Sequence, residues 1–330
     1  MAKKKEAYLS LSAMLRAREP RLLNAERAER MLDASSFEEA AKLLTDCGYP
    51  DLSQSDAKEI ETALTDRRNE LLDELQNLVP EPALVDVFRM KYDTHNAKVL
   101  LKAEAMGVDG GHLYSRSGRI APEKLQNAYR EERLSELPPL FGTALLEARN
   151  ILARTANPQL ADFVLDRALY AEMLDAAKTV DSPFLTGYVR LLIDSLNLKS
   201  LVRTLRMGKD SDFLREALLP GGTVDPDRLI AAGDGESLSA LYAHGALEQA
   251  AALGGECLSG GSMTAFERAC DNAVNRYLRS SKLISYGPEA PAAYLAAVEA
   301  EITAVRMILT GRLSGIAPET IRERLREFYA

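Results

Sequence analysis

Two stretches of this 330-residue chain carry the same polar signature, in the same order, at the same distance from the same flanking residues. The first runs Asp93-Thr94-His95-Asn96-Ala97-Lys98 and the second Asp194-Ser195-Leu196-Asn197-Leu198-Lys199. Each asparagine lies 14 residues past a proline (96−82, 197−183), and each signature is followed by a Met-Gly pair, Met106-Gly107 and Met207-Gly208. A chain with such an internal repeat is built from copies of one module, which restricts its architecture more than any single motif does.

A second feature recurs around the first. Pro20-Arg21-Leu22-Leu23, Pro122-Glu123-Lys124-Leu125, Pro226-Asp227-Arg228-Leu229 and Pro318-Glu319-Thr320-Ile321 read as helix starts, because proline in the first turn forfeits no hydrogen bond. The intervals are 102, 104 and 92 residues (122−20, 226−122, 318−226). That is longer than the period of a solenoid repeat and fits a triplicated small domain. The expected modules are residues 1–121, 122–225 and 226–330. The third copy is degenerate: Pro288 and Pro291 precede a helix over 292–312 that keeps Val298, Ile302, Val305, Ile308 and Leu309 but lacks the Asp-x-x-Asn-x-Lys pattern. The stretch from residue 6 to 33 resembles the one beginning at 318, so packing of the chain's start against its end is expected.

The class expected is all-α. Leu198, Leu201, Val202 and Leu205 fall at i, i+3, i+4 and i+7, one face of a buried helix. Aromatic residues make up only 6% and tryptophan is absent, so a β-rich fold would lack its usual residues.

Asp93 and Asn96, like Asp194 and Asn197, are three apart and share a helix face. A mid-helix asparagine costs several tenths of a kcal/mol relative to alanine, so its recurrence implies a hydrogen bond that offsets the cost. Two readings follow: an anchor for a neighbouring helix or loop, or a polar row, with Lys98 and Lys199, facing a partner. Lys102, Arg203 and Arg206 are candidate contacts for an acidic partner.

The chemistry that the residues exclude is broader. A formal charge of −8 argues against general nucleic-acid binding, which needs clustered bases. The glycine pairs at 110, 221, 254 and 260 lack the lysine and hydroxyl of a phosphate loop, so nucleotide hydrolysis on this chain is not expected. His95, His112 and His244 have no metal-ligand spacing, and Cys47, Cys257 and Cys270 form no CxxC, so no metal, cofactor or disulfide framework is expected. The Lys3-Lys4-Lys5 run has no apolar segment behind it and is not a secretory signal. No stretch approaches the length of apolar sequence that a membrane span requires.

The chain resembles the C-subunit family of bacterial V-type and archaeal A-type ATPases, homologous to the d subunit of the eukaryotic V-ATPase. The resemblance is carried by Tyr8-Leu9-Ser10, Arg16-Ala17-Arg18-Glu19, Asp46-Cys47-Gly48-Tyr49, the two Asp-Asn-Lys signatures and the closing Gly315-Ile316-Ala317-Pro318. It implies three similar helical domains in a pseudo-three-fold funnel. It also implies a non-catalytic rotor role, coupling a central shaft of subunits D and F to the membrane ring of proteolipid subunits from the cytoplasmic face. The alternative is a helical repeat adaptor or assembly factor unrelated to a rotary motor, and a third reading is a helical enzyme with a cleft between repeats.

Overall fold

Local start signals written in the sequence set most of the helix boundaries. In the computed structural model, which describes residues 5–330, the first helices are α1 (Leu9–Arg18), α2 (Ala25–Asp33), α3 (Phe37–Lys42) and α4 (Ala57–Leu78). Next come α5 (Ala83–Met106), α6 (Pro122–Arg130), α7 (Pro139–Thr155), α8 (Pro158–Val180), α9 (Pro183–Arg206), α10 (Ser211–Ala217) and α11 (Pro226–Ala231). The last are α12 (Gly235–Leu241), α13 (Glu248–Leu258), α14 (Met263–Arg279), α15 (Glu289–Leu313) and α16 (Pro318–Arg324). There is no strand among the described residues, and the fold is all-α. No helix among them is long and apolar enough to cross a membrane. Lys3 and Lys4 lie outside the described residues.

Proline opens α6, α7, α8, α9, α11 and α16, where its missing N–H would have been unpaired in any case. Helix α4 starts instead with a capping box: the Asp56 side chain accepts from Glu59 N at 2.8 Å, and the Glu59 side chain accepts from Asp56 N at 2.9 Å. Pro20 behaves differently from the expectation. It sits in a 3-10 turn, Glu19–Arg21, and the helix after it begins at Ala25, capped by the Asn24 side chain accepting from Arg27 N.

The chain divides into two compact units. One runs to Pro82 and resumes from Asp234 to Ala330; the other is Ala83–Gly233. In the first, α15 is the core: Ala290 and every residue from Ala292 to Val298 are buried, so the helix is covered on all sides rather than along one stripe. Around it pack α1, α2, α3, α4, α14 and α16. The two ends of the sequence meet here. Arg16 donates to the Ser281 carbonyl at 2.5 Å and to the Tyr329 hydroxyl at 3.0 Å, and Ser12 Oγ donates to the Gly287 carbonyl at 3.4 Å.

In the second unit α5 and α9 both pack on α8. The apolar core joins Leu100, Leu101, Leu125, Phe141, Leu145 and Leu165 from α5 to α8. Each such fully buried side chain contributes about 1.5–3 kcal/mol by leaving water. Leu198, Leu201 and Val202 are fully buried on α9, and Leu205 is half-buried.

Candidate functional site

The repeated polar signature marks a clasp between a long helix and the loop that returns to it. On α5, Asn96 Nδ2 donates to the Ser115 carbonyl at 2.8 Å and Asn96 Oδ1 accepts from Ser115 N at 2.8 Å. One turn earlier, Asp93 accepts from Ile120 N at 3.0 Å and from Arg119 Nε at 2.7 Å. On α9 the arrangement is the same. Asn197 makes the reciprocal pair with Leu219, 2.8 Å in each direction, and Asp194 accepts from Thr223 N at 2.9 Å, from Val224 N at 3.2 Å and from the Thr223 hydroxyl. All four side chains are buried. An asparagine presenting both an amide donor and a carbonyl acceptor to one peptide unit mimics a strand pair, which offsets its poor helix propensity.

Glycine makes this approach possible. A Cβ at Gly118 would lie 2.3 Å from Asp93 Oδ1, and one at Gly222 would lie 2.2 Å from Asp194 Oδ1. Burial pushes the Asp93 carboxyl above the usual aspartate range, and the Arg119 guanidinium and the N–H groups of Ile120 and Arg119 pull it part of the way back. Arg119 also reaches Glu172 on α8 at 2.8 Å, so the clasp is tied to a second helix.

The basic residues of the signature divide. Lys98 pairs with Asp166 at 2.7 Å and Lys102 with Asp162 at 2.7 Å, both across to α8. As α5 advances from 98 to 102, its partners on α8 retreat from 166 to 162, so the two helices are antiparallel. Lys199 is half-buried on α9, while Arg203 and Arg206 are exposed in its last turns.

A third cluster, which no sequence motif announced, surrounds Glu301 on α15. This buried carboxylate accepts from Leu23 N at 2.6 Å, from the Tyr49 hydroxyl at 2.9 Å, and from Arg67 Nε and Nη2 at 3.1 and 2.9 Å. The Arg67 guanidinium lies 4.4 Å from the centre of the Tyr49 ring. Burial, the largest influence, lowers the Arg67 pKa, but the charge and hydrogen bond of Glu301 together with Tyr49 and Tyr294 raise it on balance; burial, then the Glu301 charge, lifts the Tyr49 phenol far above its usual range.

A register shared with the other two copies is nonetheless present in the sequence. Gly107, Gly208 and Gly315 each end a long helix in the left-handed conformation, with φ of 63°, 63° and 69°. Asp93, Asp194 and Glu301 each stand 14 residues before that glycine (107−93, 208−194, 315−301), and Lys98, Lys199 and Arg306 each stand five residues after the carboxylate. Arg306 reaches back to Glu61 on α4 with Nε at 2.5 Å, as Lys98 does to Asp166 on α8.

No cluster of three or more His, Cys, Asp or Glu side chains able to hold a metal occurs among the described residues. The carboxylates of the clasps accept from main-chain N–H groups and from guanidinium or hydroxyl donors, an arrangement suited to holding loops.

The family model described as the ATP synthase (C/AC39) subunit matches residues 11–324, a span that contains all three clasps. The chain belongs to this family. Among its C/AC39 relatives, the C subunit of the V-type sodium ATPase of Enterococcus hirae is 25% identical, covering 98% of this chain and 99% of the relative. The C subunit of the A-type ATP synthase of Methanocaldococcus jannaschii is 26% identical over 96% of this chain and 86% of its own. Its counterpart in the V-type ATP synthase of Thermus thermophilus is 25% identical over 63% and 67%. The C/AC39 chain is therefore a subunit of a V/A-type rotary ATPase.

Proposed function

We propose that this C/AC39 chain is a non-catalytic rotor subunit that joins the central shaft of subunits D and F to the membrane ring of proteolipid subunits. On this reading it works at the cytoplasmic face and is peripheral to the membrane, and its modules, residues 1–121, 122–225 and 226–330, form a pseudo-three-fold funnel. The observation that carries the proposal is the family match over residues 11–324. The clasps support it physically. A part that transmits torque must not yield between its helices and their connecting loops, and each clasp replaces a mobile loop with buried, charge-assisted bonds to a long helix.

Docking of a shaft and a ring needs two interfaces, each of about 1,200–2,000 Å² in total for a specific contact. Polar shaft contacts would weaken as salt rises, since exposed charges are screened over about 8 Å at physiological ionic strength. The test is purification of a tagged chain from native membranes. D, F and the proteolipid should accompany it in constant ratio, with D and F released at high ionic strength. Recovery of the chain without D, F and the ring, in the company of other proteins, overturns the proposal in favour of a helical adaptor.

A further inference from the structure

We infer that the third copy of the clasped helix pair is assembled from two remote stretches of sequence, residues 289–313 and 22–33, and that Glu301 is the latch that joins them.

The register of the contacts requires this pairing. In the first copy the carboxylate holds the N–H of Ile120, two residues before the first residue of α6, Pro122. In the second it holds the N–H of Val224, two residues before Pro226 of α11. In the third, Glu301 holds the N–H of Leu23, two residues before Ala25 of α2. Helix α2 thus stands to α15 as α6 stands to α5 and α11 to α9. A second tie keeps the same register at the far end of the short helix. Eleven residues past the carboxylate (104−93, 312−301), Glu104 accepts from the Tyr129 hydroxyl near the end of α6, and Arg312 donates to the carbonyls of Leu32 and Ala34 at the end of α2. The position of Tyr129 in α6 matches that of Leu32 in α2, each seven residues past the first (129−122, 32−25).

What differs is connectivity. The carboxylate and its client are 27 residues apart in the first copy and 30 in the second, but 278 apart in the third. In the first two copies a short connector keeps the loop near its carboxylate even when the bond opens. In the third the path is about tenfold longer, and in the unfolded chain the effective concentration of one group near the other falls roughly as the −3/2 power of that length, about thirty-fold. In the folded chain α1, which ends at Arg18 and packs on α15, keeps Leu23 near Glu301. Glu301 meets this with donors from three segments: Leu23, Tyr49 beside the turn at Gly48, and Arg67 on α4. It is also one methylene longer than the aspartates, and Arg21 occupies the place of the close-approach glycines Gly118 and Gly222.

The test is hydrogen–deuterium exchange on the full chain carrying Glu301→Gln, Asp93→Asn or Asp194→Asn. Glu301→Gln is expected to speed exchange over residues 22–33 at least about tenfold while the segments holding Ile120 and Val224 keep their wild-type rates. The two aspartate variants should loosen only the loop each one holds. Unchanged exchange over 22–33, or equal acceleration of all three loops, overturns the latch. Should Glu301→Gln fail to fold, Glu301→Asp keeps the charge and withdraws it by one methylene, and the same comparison decides. The measurement uses the chain alone, so its outcome is independent of whether D, F and the ring copurify.

Discussion

Gly118→Ala should destabilise the unit formed by Ala83–Gly233 by about 2–4 kcal/mol. The added Cβ would stand 2.3 Å from Asp93 Oδ1 and 3.3 Å from the Asp93 backbone nitrogen. The first distance is more than 1 Å inside the ~3.5 Å of ordinary contact. Asp93 lies within helix α5, so its backbone cannot withdraw, and its carboxylate can retreat only by giving up Ile120 N at 3.0 Å or Arg119 Nε at 2.7 Å. A hydrogen bond to a charged group contributes about 1.5–3 kcal/mol, and a carboxylate left buried with fewer donors adds to the loss.

Urea unfolding followed by circular dichroism measures the change as a shift in midpoint at constant slope. Two controls separate the steric contact from other effects of losing a glycine. A Cβ at Gly233 would meet nothing within 4 Å, and its φ is ordinary, so Gly233→Ala should stay within about 0.5 kcal/mol of wild type. Gly107 is equally open but sits at φ 63°, so Gly107→Ala should cost about 1 kcal/mol through backbone strain alone. If Gly118→Ala proves no worse than Gly107→Ala, the argument from the Asp93 contact is refuted.

Asn197→Ala leaves both the N–H and the carbonyl of Leu219 buried without their partner, and should lower the unfolding free energy by about 2–4 kcal/mol in the same urea assay. Tyr8, Tyr49 and Tyr170 are held above the usual phenol value of 10.0, chiefly by burial, so absorbance at 295 nm should show them ionising only as the protein unfolds. Because the unfolded chain loses those protons first, their contribution to stability is full below pH 10.0 and is lost as pH rises above it. Glu74 has the opposite sign. The bidentate bond from Arg18 lowers its pKa below the usual 4.5, so its contribution is present above pH 4.5 and is lost as pH falls through the folded value. Glu74→Gln should therefore flatten the acid limb of the stability profile.

Much of this arrangement was legible in the sequence, and the gaps have physical causes. The duplicated Asp-x-x-Asn and its distance to the Met-Gly pair could be counted directly, as could the i, i+3, i+4, i+7 face at Leu198, Leu201, Val202 and Leu205. The groups that the asparagines hold could not be named, because Ser115 and Leu219 are reached 19 and 22 residues away along loops whose path no local propensity dictates. Pro20 is a weaker signal than its neighbour: Asn24 is the stronger helix start, and its side chain caps α2. Glu301 is hard to see because the third copy carries glutamate for aspartate and Ala304 for asparagine, so half the signature is gone. Counting back from Gly315 rather than forward from Pro288 recovers it.

The paired amide bonds of Asn96 and Asn197 reach only the main chain of Ser115 and Leu219. Every residue except proline offers that same N–H and C=O, so the gripped position is indifferent to the side chain it bears, here a hydroxyl in one copy and an isobutyl group in the other. Divergence between duplicated stretches can therefore accumulate at the receiving end without loosening the attachment, while the asparagine itself has no equivalent substitute.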